Sequence, residues 1–148
     1  MMAAPKTDPA WEDTLAGLGE IRRDEPMARH TTLGVGGPAR WFFRPRDSEA
    51  LQAAMAAIPA AINILPLGRG SNMLVSDAGF DGIVLDLGSL DAIDVDGRRI
   101  TAGAGARMSK LAQRAAQSGL AGLEFMATVP GDVGGGIVMN AGAFGQQV

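Results

Sequence analysis

The sequence predicts an α+β fold, and three observations carry that prediction. Short strands and a tight hairpin precede the helical runs instead of alternating regularly with them, which disfavours a doubly wound sheet. The middle of the chain is rich in strand patterns, centred on an Asp96-Gly97 turn of the kind that closes two-residue hairpins. The 21 glycines gather in loops rather than repeating at a fixed period, which points to close backbone approach and not to a linker or a collagen-like chain. At 148 residues the chain can form one domain or two small lobes sharing a core.

Residues 1–25 read as a polar, proline-containing N-terminal extension with one short helix around Trp11 to Leu18, stopped by Gly17 and Gly19. Residues 31–38, Thr-Thr-Leu-Gly-Val-Gly-Gly-Pro, read as a tight turn ahead of a strand, Ala39-Arg40-Trp41-Phe42-Phe43-Arg44, that ends at Pro45. Asp47 and Ser48 can cap a helix whose apolar positions Leu51, Ala54, Met55 and Ile58 share one face, with Pro59 as its stop. A strand over residues 62–67 then enters a first glycine loop. Residues 73–75 and 83–87 read as strands on either side of an Asp/Gly turn, and residues 92–95 pair with 99–102 across Asp96-Gly97. A helix over residues 109–118 places Met108, Leu111, Ala112 and Ala115 on one face and ends at Gly119. A short helix over residues 132–139 follows a second glycine loop.

Composition narrows the function. A formal charge of −3 and a pI near 5.0 give no general electrostatic attraction to nucleic acid or to an anionic membrane. No run approaches the length of a membrane span, and the N-terminus is a poor signal peptide, so a cytoplasmic location is expected. The absence of cysteine excludes disulfides, thiolate chemistry and cysteine-ligated metals. His30 is the sole histidine, so a histidine-rich metal centre is excluded too, and its place beside Thr31 and Thr32 favours a structural or capping role. The aspartates between Asp77 and Asp96 fall mostly in turns or on alternate strand faces, where solvation is the ordinary explanation and a carboxylate-only magnesium site the rarer one.

Two loops stand apart. Gly68-Arg69-Gly70-Ser71-Asn72 follows a strand, and its small residues let successive N–H groups converge on an anion while Ser71 and Asn72 add side-chain donors. It is not a dinucleotide fingerprint, because the spacing differs and no helix follows. Alone, it reads either as a plain turn or as a ligand loop. In Val129-Pro130-Gly131-Asp132-Val133-Gly134-Gly135-Gly136, Asp132 can cap a helix whose glycines let a ring or a phosphate lie against the backbone. Three glycines in a helix cost about 1 kcal/mol each relative to alanine. Packing against another backbone and a bound cofactor are two reasons to bear that cost. Asn140, in Met139-Asn140-Ala141-Gly142, can belong to an ordinary helix end or donate an amide hydrogen bond to a ring carbonyl.

Taken in order, residues 31–39, 67–75, 102–105, 122–125 and 129–145 resemble the motifs of the UDP-N-acetylenolpyruvoylglucosamine reductase (MurB) family, over roughly residue 24 to the end. The resemblance implies a two-lobed FAD-binding domain of the vanillyl-alcohol-oxidase (PCMH) type, truncated before the substrate domain. Its lobes would span residues 26–88 and 89–148, the second incomplete. It implies that Gly68, Arg69, Gly70, Ser71 and Asn72 hold the FAD pyrophosphate. Val129, Pro130, Gly131, Asp132, Gly134 and Gly135 would approach pyrophosphate and flavin ring, with Asn140 and Gly142 also at the cofactor. The implied reaction uses NADPH as hydride donor and a UDP-sugar enolpyruvyl ether as substrate, giving UDP-N-acetylmuramate for peptidoglycan.

This sequence departs from the family pattern in places. The family's Tyr-Arg-x-Ser arginine, its proton-donating serine and their acidic partner lie beyond Val148, so no catalytic residue is carried over and activity by these residues alone is not expected. Gly34 stands where a basic residue is frequent, Arg40 where Asp is frequent, and Asp132 where Thr or Ser is usual. Asp132 brings negative charge toward the expected phosphate seat unless its carboxylate turns away as a cap. The other readings are a non-catalytic flavin-binding or interaction module that complements another chain, and a flavin oxidase of the same broader fold. Oligomeric state is not legible, although apolar surface exposed where further chain would pack favours self-association.

Overall fold

The protein is represented by a computed structural model that describes residues 10–148; the first part of the expected N-terminal extension, residues 1–9, lies outside the described residues. The elements run α1 (Ala10–Leu18), β1 (Gly19–Pro26), β2 (Pro38–Pro45), α2 (Ser48–Ala57), β3 (Ile64–Leu67), β4 (Phe80–Asp86), β5 (Ile93–Asp96), β6 (Arg99–Ala102), α3 (Met108–Gln117), α4 (Val133–Val138), β7 (Gly142–Ala143) and β8 (Gln146–Gln147). Short 3₁₀ turns occupy Met27–Arg29 and Glu124–Ala127.

The first lobe is a four-stranded sheet in the order β1-β2-β4-β3. β1 pairs antiparallel with β2, while β2, β4 and β3 run parallel, with Phe42 opposite Val84 and Val84 opposite Leu65. Strand alternation sends neighbouring side chains to opposite faces. Trp41, Phe43, Ile83 and Leu85 therefore meet Trp11 and Leu15 of α1 and Ala54 and Ile58 around α2 on one face. Phe42 and Val84 meet Met27, Leu67 and Val75 on the other. Each large apolar side chain so buried contributes about 1.5–3 kcal/mol. The indoles of Trp11 and Trp41 meet edge to face, their centroids 5.2 Å apart at 71°.

Residues 10–25 correct the expectation of an extension. Trp11 and Leu15, one helical turn apart, are core residues, and Gly19 to Glu25 pair with β2 from Pro45 to Ala39. Gly19 is required there, since a Cβ would overlap the Arg44 carbonyl oxygen. Residues 73–75 are the second correction. They form no strand but an irregular passage in which Val75 is buried and Leu74 is exposed. Met55, placed on the buried face of its helix by spacing, is 47% exposed, and Ala50 is buried instead.

The second lobe follows the sequence pattern closely. β5 and β6 form the hairpin, but its two-residue turn is Gly97-Arg98 and not the expected Asp96-Gly97, because Asp96 pairs with Arg99; Gly97 takes the left-handed φ of 56°. Met108, Leu111, Ala112 and Ala115 are the buried residues of α3, which stops before Gly119 at φ 68°. Ala106, Met108, Leu111, Phe125, Met126 and Val133 make the core of this lobe. Beyond it, α4 and the β7–β8 hairpin leave Ile137, Val138, Met139 and Phe144 exposed.

Candidate functional site

Parallel pairing of β2, β4 and β3 puts the carboxyl ends of all three strands along one edge of the sheet, the usual place for a ligand crevice in such sheets. Arg44 is the penultimate residue of β2, Leu67 ends β3 opposite Asp86 at the end of β4, and the first glycine loop leaves from Leu67. An open cleft of about 590 Å³ lies at this edge, lined among others by Arg29, His30, Arg44, Gly68, Arg69 and Asp132. Asp132 arrives from the second lobe, so the two glycine loops meet in one cleft.

The contact between the loops is close at two points. A Cβ on Gly68 would lie 3.3 Å from Asp132 Oδ2, and a Cβ on Gly131 would lie 3.4 Å from Ser71 Oγ. Gly70, at φ 63°, fixes the other side of the first loop, because a Cβ there would overlap the His30 carbonyl oxygen. Its own carbonyl accepts a 3.1 Å hydrogen bond from the Thr32 N–H. Among the described residues, the N–H groups of Gly68, Arg69, Gly70, Ser71 and Asn72 donate to no protein acceptor. A run of free amides on small residues, beside cationic side chains, is the donor set that an anionic diphosphate needs.

The second loop divides its donors. Val133 N–H bonds Ala106 O at 2.8 Å and Gly134 N–H bonds Ala104 O at 2.9 Å. Gly134 and Gly136 are thereby explained by packing, since Cβ atoms would sit 2.8 Å from Ala104 Cβ and 2.6 Å from Met108 Sδ. Gly135 has nothing within 4 Å of its Cβ position. It is the glycine of the three that packing does not require. Val129 is half-buried against the second core, and Pro130 is exposed. Asn140 and Gly142 do not line the cleft. The Asn140 amide donates to Gln147 Oε1 at 3.0 Å, and Gly142 pairs with Gln147 in the β7–β8 ladder.

Charge in the cleft is arranged in pairs. Asp86 is buried, accepts from Arg44 Nε at 2.8 Å and takes the Gly88 N–H at 2.9 Å. It is the exception among the aspartates expected to be solvated. Asp132 occupies the N-cap position of α4, but its side chain caps nothing; Oδ1 accepts from Arg69 Nε at 2.9 Å. This corrects the expected capping role. Burial pushes the Asp132 carboxyl above its ordinary range, against the opposing pull of Arg69 and Arg107. With Arg29 added, the lining carries three arginines against these two aspartates, one positive charge in excess.

His30 has the structural role its sequence position favours. Its ring stacks on Phe42 at 4.2 Å and its Nε2 lies 2.9 Å from Glu25 Oε1. Arg22 adds a 3.1 Å bond to that same oxygen. Burial, which works to raise the Glu25 pKa, is outweighed by these partners, and the carboxyl is held below its ordinary range. Arg29, Arg44 and Asp86 were not expected at the cleft from sequence; a basic residue just before the end of a buried strand, as Arg44 is in β2, was the available signal. No group of three or more potential metal-ligating side chains stands together among the described residues, and no helix there is long and apolar enough to cross a membrane.

Residues 39–148 match the family described as an FAD binding domain. The UDP-N-acetylenolpyruvoylglucosamine reductase of Phenylobacterium zucineum is 45% identical over 140 residues, covering 93% of this chain and 47% of its own length. That of Halalkalibacterium halodurans is 47% identical over 133 residues, covering 88% and 44%. The chain thus spans about half the length of the curated relatives it matches. The crystal structure of the MurB reductase from Thermus caldophilus superposes with a TM-score of 0.68 at 35% identity, over 87% of this chain and 44% of that one. The berberine bridge enzyme of Eschscholzia californica, at 17% identity and a TM-score of 0.58 over 73% of this chain and 26% of that one, shares the fold alone. The chain belongs to the FAD binding domain family, with the two-lobed α+β fold of that group, and corresponds to the FAD-binding portion of UDP-N-acetylenolpyruvoylglucosamine reductases.

Proposed function

We propose that this chain holds FAD through its two glycine loops and, as part of a reductase, serves the NADPH-dependent conversion of UDP-N-acetylglucosamine enolpyruvate to UDP-N-acetylmuramate in the cytoplasm. The observation that carries the reading is the run of five unpartnered N–H groups at residues 68–72, held against the second glycine loop beside Arg29, Arg44 and Arg69. The residues fit the cofactor, because the donors of the first loop have no competing acceptor in the protein and Gly68 and Gly131 bring the two loops together, where a Cβ would lie 3.3 Å from Asp132 Oδ2 and 3.4 Å from Ser71 Oγ. The backbone of residues 68–72 and the Ser71 hydroxyl would hold the diphosphate, and Gly131 and Gly135 would give the flavin close backbone approach. The bound flavin would supply two-electron redox chemistry.

The chain's own residues bind and orient. Arg44, tied to Asp86, presents positive charge at a fixed position, which lowers the cost of ordering it around an anion. None of the residues carried over by resemblance is an acid poised to protonate a substrate carbon. The experiment is direct: titrate the purified chain with FAD and follow quenching of flavin fluorescence, with riboflavin as the control that lacks phosphate. Saturable binding of FAD, and far weaker binding of riboflavin, is the expected result; no saturable binding of FAD refutes the reading. In a separate cuvette, NADPH oxidation dependent on the enolpyruvyl substrate is expected to be absent with this chain alone.

A further inference from the structure

Arg69 and Asp132 form a pair whose asymmetry the flavin-binding reading does not use. Asp132 stands at the N-cap of α4, where a serine or threonine would satisfy an orphan amide, yet it leaves that amide and turns to Arg69. The two residues are 63 apart in sequence, and their side chains keep 1% exposure for Asp132 and 45% for Arg69. A nearly fully buried carboxylate is costly, and here it fixes one atom of a side chain that otherwise reaches into the cleft. Only the Nε–H donates to Asp132. The guanidinium is planar, so anchoring Nε leaves the two terminal nitrogens as a fork, with their direction set by the anchor. Such a fork matches two oxygens of a phosphate. It stands on the same loop whose five N–H groups are unpartnered.

We infer that Asp132 is a positioning residue that holds Arg69 over the first glycine loop so that its terminal nitrogens meet the diphosphate of a nucleotide ligand. The inference rests on the flavin-binding reading and adds to it a charged contact and the residue that aims it. It also reverses the expected sign of Asp132: a carboxylate beside a phosphate seat should weaken binding, whereas a carboxylate that orients an arginine should strengthen it.

The test compares dissociation constants of the full chain for FAD, ADP and riboflavin at two salt concentrations. Asp132→Asn is expected to weaken FAD and ADP by about tenfold, the size of one lost charge-assisted contact, and to leave riboflavin within about twofold. Arg69→Gln should do the same, and the double variant should be no weaker than Arg69→Gln alone, since the two act as one unit. Both single variants should also flatten the salt dependence of ADP binding. Should Asp132→Asn fail to fold, Arg69→Lys at the half-exposed position replaces it; lysine lacks the fork, and the same tenfold loss for ADP, on the order of one contact, is expected. Binding of FAD by Asp132→Asn as tight as or tighter than the parent, additive losses in the double variant, or unchanged ADP binding by Arg69→Lys overturns the inference while leaving the flavin reading intact. A parent chain that binds neither FAD nor ADP overturns both.

Discussion

Gly134, Gly135 and Gly136 sit in one short helix with three different surroundings, and alanine placed at each should separate them. Alanine favours a helix over glycine by about 1 kcal/mol where nothing obstructs its Cβ, and Gly135 is that case, with no atom within 4 Å. At Gly134 the Cβ would meet Ala104 Cβ at 2.8 Å and Ala104 O at 3.1 Å, and that same oxygen accepts the Gly134 N–H at 2.9 Å. The obstacle is backbone, held by the bond that the substitution would have to stretch. Overpacking of this kind costs about 1–3 kcal/mol, which cancels the helix gain and leaves Gly134→Ala up to about 2 kcal/mol less stable. At Gly136 the obstacle is Met108 Sδ at 2.6 Å, the flexible part of a side chain, and the effect should fall between the other two. A difference of about 1–3 kcal/mol between the extremes corresponds to roughly 3–9 °C in Tm for a domain of this size. Thermal scans of the ligand-free variants by far-UV circular dichroism read it directly. Gly134→Ala melting at or above Gly135→Ala would refute the assignment of the packed and the open glycine.

Two buried carboxylates should give opposite acid responses. The folded pKa of Asp132 is raised above 3.8, so its ionisation costs stability: relative to Asp132→Asn, the parent should lose ground as pH rises from below 3.8 toward neutrality. Melting curves of the pair between acid and neutral pH would contradict this if the gap moved the other way. The folded pKa of Glu25 is lowered below 4.5, so its contribution is present above 4.5 and is lost as pH falls through the folded value. The Tm advantage of the parent over Glu25→Gln should therefore shrink on acidification in the same scans, and a constant advantage would show that the His30 and Arg22 partners do not act through the ionised form.

What was legible in the sequence follows from how local its causes are. The four buried positions of α3 and the β5–β6 hairpin depend on residues within a turn or two of each other, and spacing alone places them, with the turn displaced by one residue to Gly97-Arg98. β1 was not legible because Glu20, Arg22, Arg23 and Asp24 give it the composition of solvated chain. It is an edge strand with a single partner, where charge is tolerated and even protective. Residues 73–75 misled in the other direction. Three apolar residues in a row suggest a strand, but Val75 alone is buried in the core with β2 and β4, Met73 packs half-buried against it and Leu74 is exposed. At the cleft, the small residues of both loops announced close approach, while the partner of Asp132 could not be read. A capping aspartate and an ion-paired one have the same local sequence, and only the sheet edge that brings Arg69 across decides between them.

The edge-to-face indoles of Trp11 and Trp41 give the protein a built-in, one-sided reporter. They are its two tryptophans, both belong to the core under α1 and α2, and the core of the other lobe holds Phe125 as its aromatic ring. A red shift of the intrinsic emission as the indoles become hydrated would therefore signal opening of one half of the molecule and be blind to the other. Setting that optical trace beside the backbone dichroism in a denaturant titration would reveal whether the halves come apart together: coincident curves mean a single cooperative unit, and displaced curves mean that the cleft is built from two pieces of unequal endurance.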